Sequence, residues 1–449
     1  MRQFTSFPYK HVLVLGLARS GTAAATLLLH NDINVRINDG NPNMNKEDQA
    51  MFTQMGADII LGSHPLSVLE GIDLIVKNPG IRYDHPLIVE GANRSIPVVT
   101  EVELAGYIAE DQMIGITGSN GKTTTTTLIT RMFEADEQPV QIAGNIGVVA
   151  SEVVETLTED ATMVIELSSF QLQGTKQFKP HIAILLNVFP AHLDYHGSME
   201  AYVEAKKQIF TRQTADDILI YNADQSLVAN GVEEAHSHRV PFSTKEKLLD
   251  GAWQDKEWLY YKREKVIQKK DITLVGDHNI ENILAAICAV KQKGVSNESI
   301  KKVLTTFTGV EHRLQFVATL NGRKFYNDSK ATNMLATEKA LSSFSTRTIL
   351  LAGGLDRGDD FTPLAPSLKH VCALITFGET SEKLQALGKE AGIPIIKPVE
   401  TMEEAVKTAY DLSKNGDIIL LSPACASWDQ YATFEERGDM FSRAVHRLA

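Results

Sequence analysis

The sequence predicts an α/β protein of three domains, each built on a mainly parallel sheet. Its 449 residues correspond to about three domains of ordinary size. Apolar runs of strand length alternate along the chain with segments of helical periodicity, which is the pattern of parallel α/β folds. Several of these runs lead directly into polar or glycine-rich residues, where open parallel sheets bind their ligands.

The first domain, predicted for residues 1–102, begins with the pattern of a Rossmann-like dinucleotide fold. An apolar strand, His11–Leu15, is followed by the glycine turn GLARSG, a helical stretch and a second strand that ends at Asp39. In such folds the helix N-terminus holds a pyrophosphate and the acidic residue holds a ribose. Ala18 replaces the glycine that lets the backbone approach the pyrophosphate, which argues against a nicotinamide or flavin cofactor without excluding it. The later turn Asn78–Gly80 is either a ligand contact or an ordinary tight turn.

The second domain, predicted for residues 103–310, contains the glycine-rich loop TGSNGKT between a predicted strand and a predicted helix. The common P-loop is G-x-x-x-x-G-K-[ST], and Ile116 stands in place of its first glycine. The N–H groups of residues 118–124 would wrap a triphosphate, with Lys122 on its β and γ oxygens and the Thr123 hydroxyl on Mg²⁺. We therefore predict a P-loop ATPase-like central domain.

Three further side chains of this domain are candidates for chemistry, although each also has an ordinary interpretation. Glu166 ends a predicted strand, from which its carboxylate would reach the same Mg²⁺ or lie in solvent. His192 belongs to a polar cluster, residues 192–196, that is unusual unless a ligand binds there. Lys206 lies on the inward face of a predicted helix, and such a lysine usually extends its ammonium group to solvent.

The third domain, predicted for residues 311–449, repeats the alternation of strands and helices and is predicted to be Rossmann-like. Its predicted strands each end in polar or glycine-rich residues, as in the first two domains. They are KFYND, the run from Thr348 to Gly354, CALITFG and DIILLSP.

The composition indicates a globular protein of a reducing compartment. Hydrophobic residues make up 43% of the chain, and the 3 cysteines lack C-x-x-C spacing, which excludes a disulfide framework or a zinc cluster. The formal net charge of -12 argues against nucleic acid and anionic membranes as partners. We find no signal-peptide pattern and no apolar run of about 18 residues, so we expect a cytoplasmic protein. We also expect a monomer.

Nine features follow one another along the chain: TGSNGKT at 117–123, AGNIG at 143–147, ELSSFQL at 166–172, AHLDYH at 191–196, Lys206, GDHNIENILAA at 276–286, EHRLQF at 311–316, NDSKATN at 327–333 and LSPACASWDQY at 421–431. Taken in this order, they resemble the motifs of the Mur ligase family. Together they cover essentially the whole chain, and so many motifs in register are too specific to arise by chance. The loop of that family runs T-G-x-N-G-K-T, which explains the missing first glycine.

The resemblance implies an ATP-dependent acid–amino-acid ligase of cytoplasmic peptidoglycan precursor synthesis, and hence a role in cell-wall growth, cell shape and cell division. GLARSG, the short chain and the pairing of LAGGLDRGDDF with SPACASWDQY are most similar to the branch that adds D-glutamate to UDP-N-acetylmuramoyl-L-alanine. ATP would convert the acceptor carboxylate to an acyl phosphate, which the amine of D-glutamate then attacks. Two Mg²⁺ sites are implied, and also a carbamylated Lys206, because an ammonium group cannot bind a cation.

The resemblance also assigns roles to individual residues. The catalytic residues it implies are Lys122, Glu166, His192, Lys206 and Lys330, and the metal ligands are Thr123, Glu166, His192 and Lys206. The nucleotide would be bound by Gly118, Ser119, Asn120, Gly121, Lys122, Thr123, Thr124, Asn282, Arg313 and Asp328. The two other substrates would be bound by Leu17, Ala18, Asp39, Gly80, Asn145, His192, Thr332, Arg357, Ser427 and Phe434. The family often has lysine at the position of Arg357, and an arginine binds a carboxylate with a different geometry from a lysine.

Other interpretations remain. A folylpolyglutamate synthetase-like ligase is disfavoured by the complete first domain and by NDSKATN, and a ligase for a diamino acid by the lack of a DNPR-type stretch. A P-loop switch or motor would need a strand that ends in Asp, where this chain has Glu166. An NAD-dependent oxidoreductase is disfavoured by Ala18 and by the ATP-type loop in the next domain.

Overall fold

The structure is a computed structural model that describes residues 2–4, 6–146 and 148–448, with only the backbone at Glu110. Gly147, the last residue of the AGNIG stretch, lies outside these residues. The chain forms two compact units. The first ends at Asp271 and also includes Ile280–Val303, and the second consists of Ile272–Asn279 and the chain from Leu304 onward.

The first sheet of the first unit has the parallel, doubly wound order that the sequence predicts. Its strand order is β3-β2-β1-β4-β5, and every neighbouring pair is parallel. The chain order changes direction between β1 and β4, and open α/β sheets bind ligands in the crevice at such a point. The elements are β1 (His11–Leu15), α1 (Arg19–His30), β2 (Asn34–Asp39), α2 (Lys46–Gln54), β3 (Asp58–Leu61), β4 (Leu74–Lys77), α3 (Pro86–Asn93) and β5 (Val98–Thr100).

The second sheet follows with the order β14-β13-β12-β11-β10-β9-β6-β8-β7. Its strands are parallel from β7 to β12, and β12–β14 extend one edge as an antiparallel meander that the sequence analysis did not predict. The elements are α4 (Glu101–Ala109), β6 (Met113–Thr117), α5 (Lys122–Ala135), β7 (Val140–Gly144), α6 (Ala150–Thr156), β8 (Thr162–Glu166), α7 (Ser169–Leu172), β9 (Ile182–Leu185), α8 (Leu193–His196), α9 (Met199–Lys207), β10 (Ile218–Asn222), α10 (Ser226–Gly231), β11 (His238–Ser243), β12 (Ala252–Gln254), β13 (Trp258–Tyr261), β14 (Glu264–Gln268), α11 (Asp277–Gln292) and α12 (Asn297–Leu304).

One apolar core joins the first two sheets. Leu28 of α1, Ala105 of α4 and Val154 of α6 belong to the same buried cluster. The carboxylate of Glu101 at the start of α4 accepts a hydrogen bond from the Ser151 N–H of α6. The two sheets are therefore packed as one body, and their ligand-binding edges are held at a fixed distance.

The second unit contains the third sheet, with the order β15-β16-β20-β17-β18-β19. Only β15 and β16 are antiparallel among the described pairs. Consecutive residues of β17 point to opposite faces of the sheet, and Leu350 and Leu351 belong to two separate buried clusters. Apolar cores therefore cover both faces of the sheet. The elements are β15 (Gln315–Leu320), β16 (Arg323–Asn327), α13 (Met334–Ser342), β17 (Thr348–Gly353), β18 (Val371–Phe377), α14 (Ser381–Glu390), β19 (Ile395–Pro398), α15 (Met402–Leu412), β20 (Ile418–Leu421) and α16 (Phe434–His446).

The predicted fold class is confirmed: three α/β parts with parallel-rich sheets. Each predicted domain contains one sheet, while the exact limits at residues 102 and 310 stay a prediction. Within the described residues, no helix is long and apolar enough to cross a membrane.

Candidate active site

The glycine-rich loop lies between β6 and α5, as the sequence predicts. Gly121 has φ +83°, a left-handed conformation that side chains disfavour, and a Cβ there would lie 2.1 Å from Asn282 Oδ1. A Cβ on Gly118 would lie 3.0 Å from Leu186 Cβ. Gly121 is therefore required by its backbone conformation and by this close contact, and Gly118 is favoured by tight packing. The loop, residues 117–123, forms the candidate phosphate cradle.

The segment that follows β9 holds this loop in place. Asn187 accepts hydrogen bonds from the Ser119 N–H at its carbonyl oxygen (3.0 Å) and from the Asn120 N–H at its side-chain oxygen (2.9 Å). Both amides were expected to bind phosphate, and in this structure they donate to protein instead. Donation to a phosphate in this conformation is thus expected from the later amides, those of residues 121–124.

Lys122 folds back over the loop. Its Nζ donates to the carbonyl oxygens of Gly118 (2.8 Å) and Ser119 (3.2 Å). Thr123 and Thr124, at the start of α5, are buried. The ammonium group thus lies at the mouth of the cradle, where it can neutralise a bound anion.

Glu166 lies beside the loop because β8 pairs with β6, with Glu166 opposite Ile116. The residue is only 2% exposed, and its Oε1 accepts a hydrogen bond from Asn145 Nδ2 at 3.0 Å. Its Oε2 is buried and has no hydrogen-bond partner among the described residues. An unpaired buried carboxylate oxygen is costly, and a divalent cation would satisfy it, so this side chain fits a Mg²⁺ ligand.

His192 lies in the same part of the molecule. It adopts φ +55° at the start of α8, and its ring centre is 5.0 Å from that of Phe170. Burial lowers the pKa of His192, and the positive charges of Lys122 and Lys206 lower it further. The imidazole is therefore favoured in its neutral form, which is the form that binds metals.

Lys206 of α9 is 1% exposed, so the expectation that its ammonium group extends to solvent is wrong. Its Nζ donates to Gly118 O at 2.9 Å and lies 4.7 Å from the ring centre of Tyr202. Burial, with the nearby charge of Lys122, lowers the pKa of Lys206 well below its usual value. The lowered pKa favours the neutral amine, which is the nucleophilic form of a lysine.

The four candidates in the first sheet lie at its carboxyl edge. Leu17 N–H donates to the Asp39 carboxylate at 2.6 Å, and Gly80 N–H donates to Asn78 Oδ1 at 3.0 Å. Ala18 directly precedes α1. A Cβ on Gly16 would lie 3.1 Å from Asn78 Cβ, so the turns that follow β1 and β4 are adjacent. Asn145 belongs to the second sheet instead, beside Glu166.

In the second unit, Asp328 directly follows β16 and leads into a turn, and it is buried. It accepts hydrogen bonds from Leu314 N–H (3.0 Å) and Ser422 Oγ (2.8 Å), and burial raises its pKa to about 7. Lys330 Nζ lies 5.3 Å from the ring centre of Phe434. The remaining candidates of this turn flank it: Arg313 precedes β15, and Thr332 N–H donates to Lys330 O.

The candidate D-glutamate residues of the second unit include a feature that the sequence analysis missed. The Arg357 guanidinium lies 5.0 Å from the ring centre of Trp428, and this indole is 65% exposed. Ser427 beside it is buried, and its carbonyl oxygen accepts from Tyr431 N–H at 2.8 Å. The indole and the guanidinium thus present one apolar group and one cationic group to solvent beside Ser427.

Arg437 is a second residue that sequence reasoning missed. It is fully buried on α16, and its guanidinium donates to Ser329 O (2.9 Å) and to Cys425 O (3.0 Å). It therefore ties the turn of Asp328 to the segment of Ser427. The sequence offered little signal, because an arginine on an amphipathic helix ordinarily lies at the surface.

Comparisons with known proteins extend over nearly the whole chain. Three family descriptions match successive parts of the chain: "Mur ligase MurD-like, N-terminal domain" over residues 10–100, "Mur ligase middle domain" over 116–290 and "Mur ligase, glutamate ligase domain" over 312–425. The UDP-N-acetylmuramoylalanine–D-glutamate ligase of Oceanobacillus iheyensis is 58% identical over 448 residues, with 100% of both chains covered. The protein of that name from Bacillus subtilis is 53% identical over 441 residues, with 98% of each covered.

Solved structures support the fold. UDP-N-acetylmuramate-alanine ligase from Thermotoga maritima matches with a TM-score of 0.58 at 18% identity, covering 98% of this chain and 100% of that one. UDP-N-acetylmuramoylalanyl-D-glutamyl-2,6-diaminopimelate–D-alanyl-D-alanyl ligase from Acinetobacter baumannii matches with a TM-score of 0.58 at 16% identity, covering 97% and 90%.

Proposed function

Because this chain belongs to the Mur ligase family, we propose that it is an ATP-dependent ligase that joins D-glutamate to UDP-N-acetylmuramoyl-L-alanine. The observation that carries this assignment is 58% identity over the full chain to a ligase named for that reaction. The phosphate cradle at Gly118 and Gly121 and the unpaired buried oxygen of Glu166 support the ATP and metal chemistry of this proposal.

The reaction joins two poorly reactive groups. A carboxylate oxygen of the L-alanyl acceptor attacks the γ-phosphorus of ATP, the bond to the bridging oxygen breaks, and ADP leaves. The amine of D-glutamate then attacks the acyl carbon, a C–N bond forms, phosphate leaves and the nitrogen loses its proton. Each step brings anions together, so positive groups at the site, such as Lys122, lower the barrier.

Mg²⁺ is assigned to two positions in this proposal. Thr123 and Glu166 would hold one ion, and His192 with a modified Lys206 would hold the other. When bound, Mg²⁺ screens the negative charge of phosphates and carboxylates. The unpaired Oε2 of Glu166 and the buried hydroxyl-bearing Thr123 support the first position.

Carbamylation of Lys206 is the second part of this proposal. Carbon dioxide reacts with a neutral amine, and the lowered pKa of Lys206 favours that form. The carbamate would turn a buried cation into an anionic oxygen ligand near His192. Its supporting observation is the burial of Nζ within reach of the loop at Gly118 O.

The remaining assignments follow the substrates. Nucleotide contacts are proposed from the first unit for Gly118, Ser119, Asn120, Gly121, Lys122, Thr123, Thr124 and Asn282, and from the second for Arg313, Asp328 and Lys330. The uridine diphosphate is assigned to Leu17, Ala18, Asp39 and Gly80, and the adjoining part of that substrate to Asn145 and His192. The D-glutamate is assigned to Thr332, Arg357, Ser427 and Phe434.

Phosphate release from ATP tests the function. We expect release only when Mg²⁺, UDP-N-acetylmuramoyl-L-alanine and D-glutamate are all present. Release that L-glutamate, a diamino acid or a folate supports better than these substrates would overturn the assignment. The proposal also places the enzyme in the cytoplasm as a monomer, which fractionation and sedimentation would check.

A further inference from the structure

Lys77, the last residue of β4, is a buried lysine that the proposed function does not use. It is 1% exposed, and burial lowers its pKa to about 8. The described residues include no carboxylate within salt-bridge distance of its ammonium group. A buried cation without an anionic partner is costly, so a chain that keeps one at a strand end gains something from its hydrogen bonds.

Those hydrogen bonds hold the turn that directly follows β4. Lys77 Nζ donates to Ile81 O at 2.8 Å and to Pro79 O at 3.3 Å, and it lies 3.5 Å from Asn78 O. The carbonyl oxygens of the turn are thus gathered around one ammonium group beneath it. The turn includes Gly80, which the proposed function assigns to the uridine diphosphate.

Tyr195 approaches the same turn from α8 in the second sheet. Its hydroxyl lies 3.2 Å from both Pro79 O and Ile81 O, and 3.4 Å from Lys77 Nζ. Arg82 adds a second connection, because its Nη1 donates to Asp194 O at 3.0 Å. The turn after β4 and the short helix α8 therefore share one polar network.

The ring of Tyr195 extends this network toward the candidate metal site. Its centre is 4.5 Å from that of Phe170, in edge-to-face geometry, and Phe170 lies 5.0 Å from the ring of His192. Tyr195 is also only three residues from His192 along the chain. A displacement of Tyr195 would therefore move His192 both through the Phe170 ring and through the backbone of residues 192–195.

We propose that Lys77 and Tyr195 are positioning residues. Together they form a bridge that sets the distance between His192 and the turn after β4, which is assigned to the uridine diphosphate. This inference rests on the proposed function, in which one substrate spans both places: its uridine diphosphate binds at the turn, and the part that adjoins the diphosphate lies near His192. A ligand that bridges two anchors is bound well only if their spacing matches its length. The apolar core fixes the sheets coarsely, and the Lys77–Tyr195 bridge fixes the two loops that meet the ligand.

The experiment compares two ligands on the full-length enzyme. UDP alone meets only the turn, whereas UDP-N-acetylmuramoyl-L-alanine meets both anchors, and titration calorimetry without ATP measures each affinity. We expect Tyr195→Phe to weaken binding of the complete acceptor roughly three- to tenfold, the worth of one or two hydrogen bonds, and to leave UDP binding unchanged. We expect Lys77→Met to weaken both ligands, because it also releases the turn.

Two controls separate positioning from general damage. Tyr260→Phe removes the same hydroxyl from β13, where it donates to Asp255 at 2.6 Å, and should alter neither affinity. Melting temperatures and the KM for ATP should be unchanged in Tyr195→Phe. Equal losses for UDP and the acceptor, or no loss for either, in Tyr195→Phe would overturn the bridge. A wild-type enzyme that does not use the acceptor at all would instead overturn the proposed function.

Discussion

Replacing Gly121 by alanine tests whether the cradle geometry, rather than the lysine beside it, makes the ATP site. Two costs follow from the structure. At φ +83° an alanine loses about 1–2 kcal/mol relative to glycine, and its Cβ would lie 2.1 Å from Asn282 Oδ1. The second contact is far inside van der Waals distance, and Asn282 is buried, so the loop or the side chain must move.

The matched control is Gly294→Ala. Gly294 has φ +78°, nearly the same backbone conformation, but a Cβ there meets nothing within 4 Å. We expect this control to lose about 1–2 kcal/mol of stability with unchanged kinetics. Gly121→Ala should lose at least that much stability and also raise the KM for ATP more than tenfold, because the amides that follow Gly121 are displaced.

Steady-state kinetics with varied ATP and a denaturant titration measure both quantities for each variant. A double variant, Gly121→Ala with Asn282→Ala, isolates the contact. In the Asn282→Ala background the added alanine should cost only the conformational part. If Gly121→Ala changes the KM for ATP no more than Gly294→Ala does, the reasoning from the close contact is refuted.

Three further predictions concern charges at the site. Lys122→Ala should lower kcat roughly 10²- to 10³-fold, by loss of one charge donor to the transition state, and a rate within about threefold of wild type would contradict this. Burial raises the pKa of Asp328 to about 7, so the folded state favours the protonated carboxyl. The contribution of this group to stability is then fully present below about pH 4 and falls by about 4 kcal/mol as pH rises to 7. Asp328→Asn should remove that part of the pH dependence in denaturant titrations; an unchanged slope would contradict it. Trp428→Leu should raise the KM for D-glutamate roughly two- to fivefold by releasing Arg357, with the KM for ATP unchanged, and an effect on ATP alone would argue against the contact.

The phosphate loop was predictable from the sequence because its requirements are local. The strand β6, the glycines at 118 and 121 and the helix that begins at Lys122 follow one another without interruption, and Gly121 has the left-handed backbone conformation that favours glycine. The family motif then explained the missing glycine. The spacing did not show which backbone amides of the loop can donate to a ligand. Asn187, which lies 67 residues beyond Asn120 in the chain, accepts hydrogen bonds from two of them.

The meander β12–β14 illustrates a strand signal that local rules missed. Its last turn places Lys262 at φ +53°, between the paired residues Tyr261 and Glu264. Tight hairpin turns of this kind usually carry Asn or Gly, which tolerate positive φ, and the Lys-Arg pair gives no such signal. Packing overrides the preference here, since Trp253 stacks on Tyr260 with ring centres 4.1 Å apart.

Two buried lysines, Lys77 and Lys206, show which side chains of this region the sequence could not predict. Residues that directly follow a parallel strand share one edge of the sheet, so Gly80, Glu166 and Asp328 could be identified from strand ends alone. Lys206 lies on a helix, and its acceptor, Gly118 O, is 88 residues away, so its usual solvent position was the reasonable expectation and proved wrong. Lys77 meets Tyr195 across 118 residues, and no local pattern links them. Candidates on strand ends are thus accessible to sequence reasoning, whereas the side chains that set distances between them become visible only when the sheets have been packed.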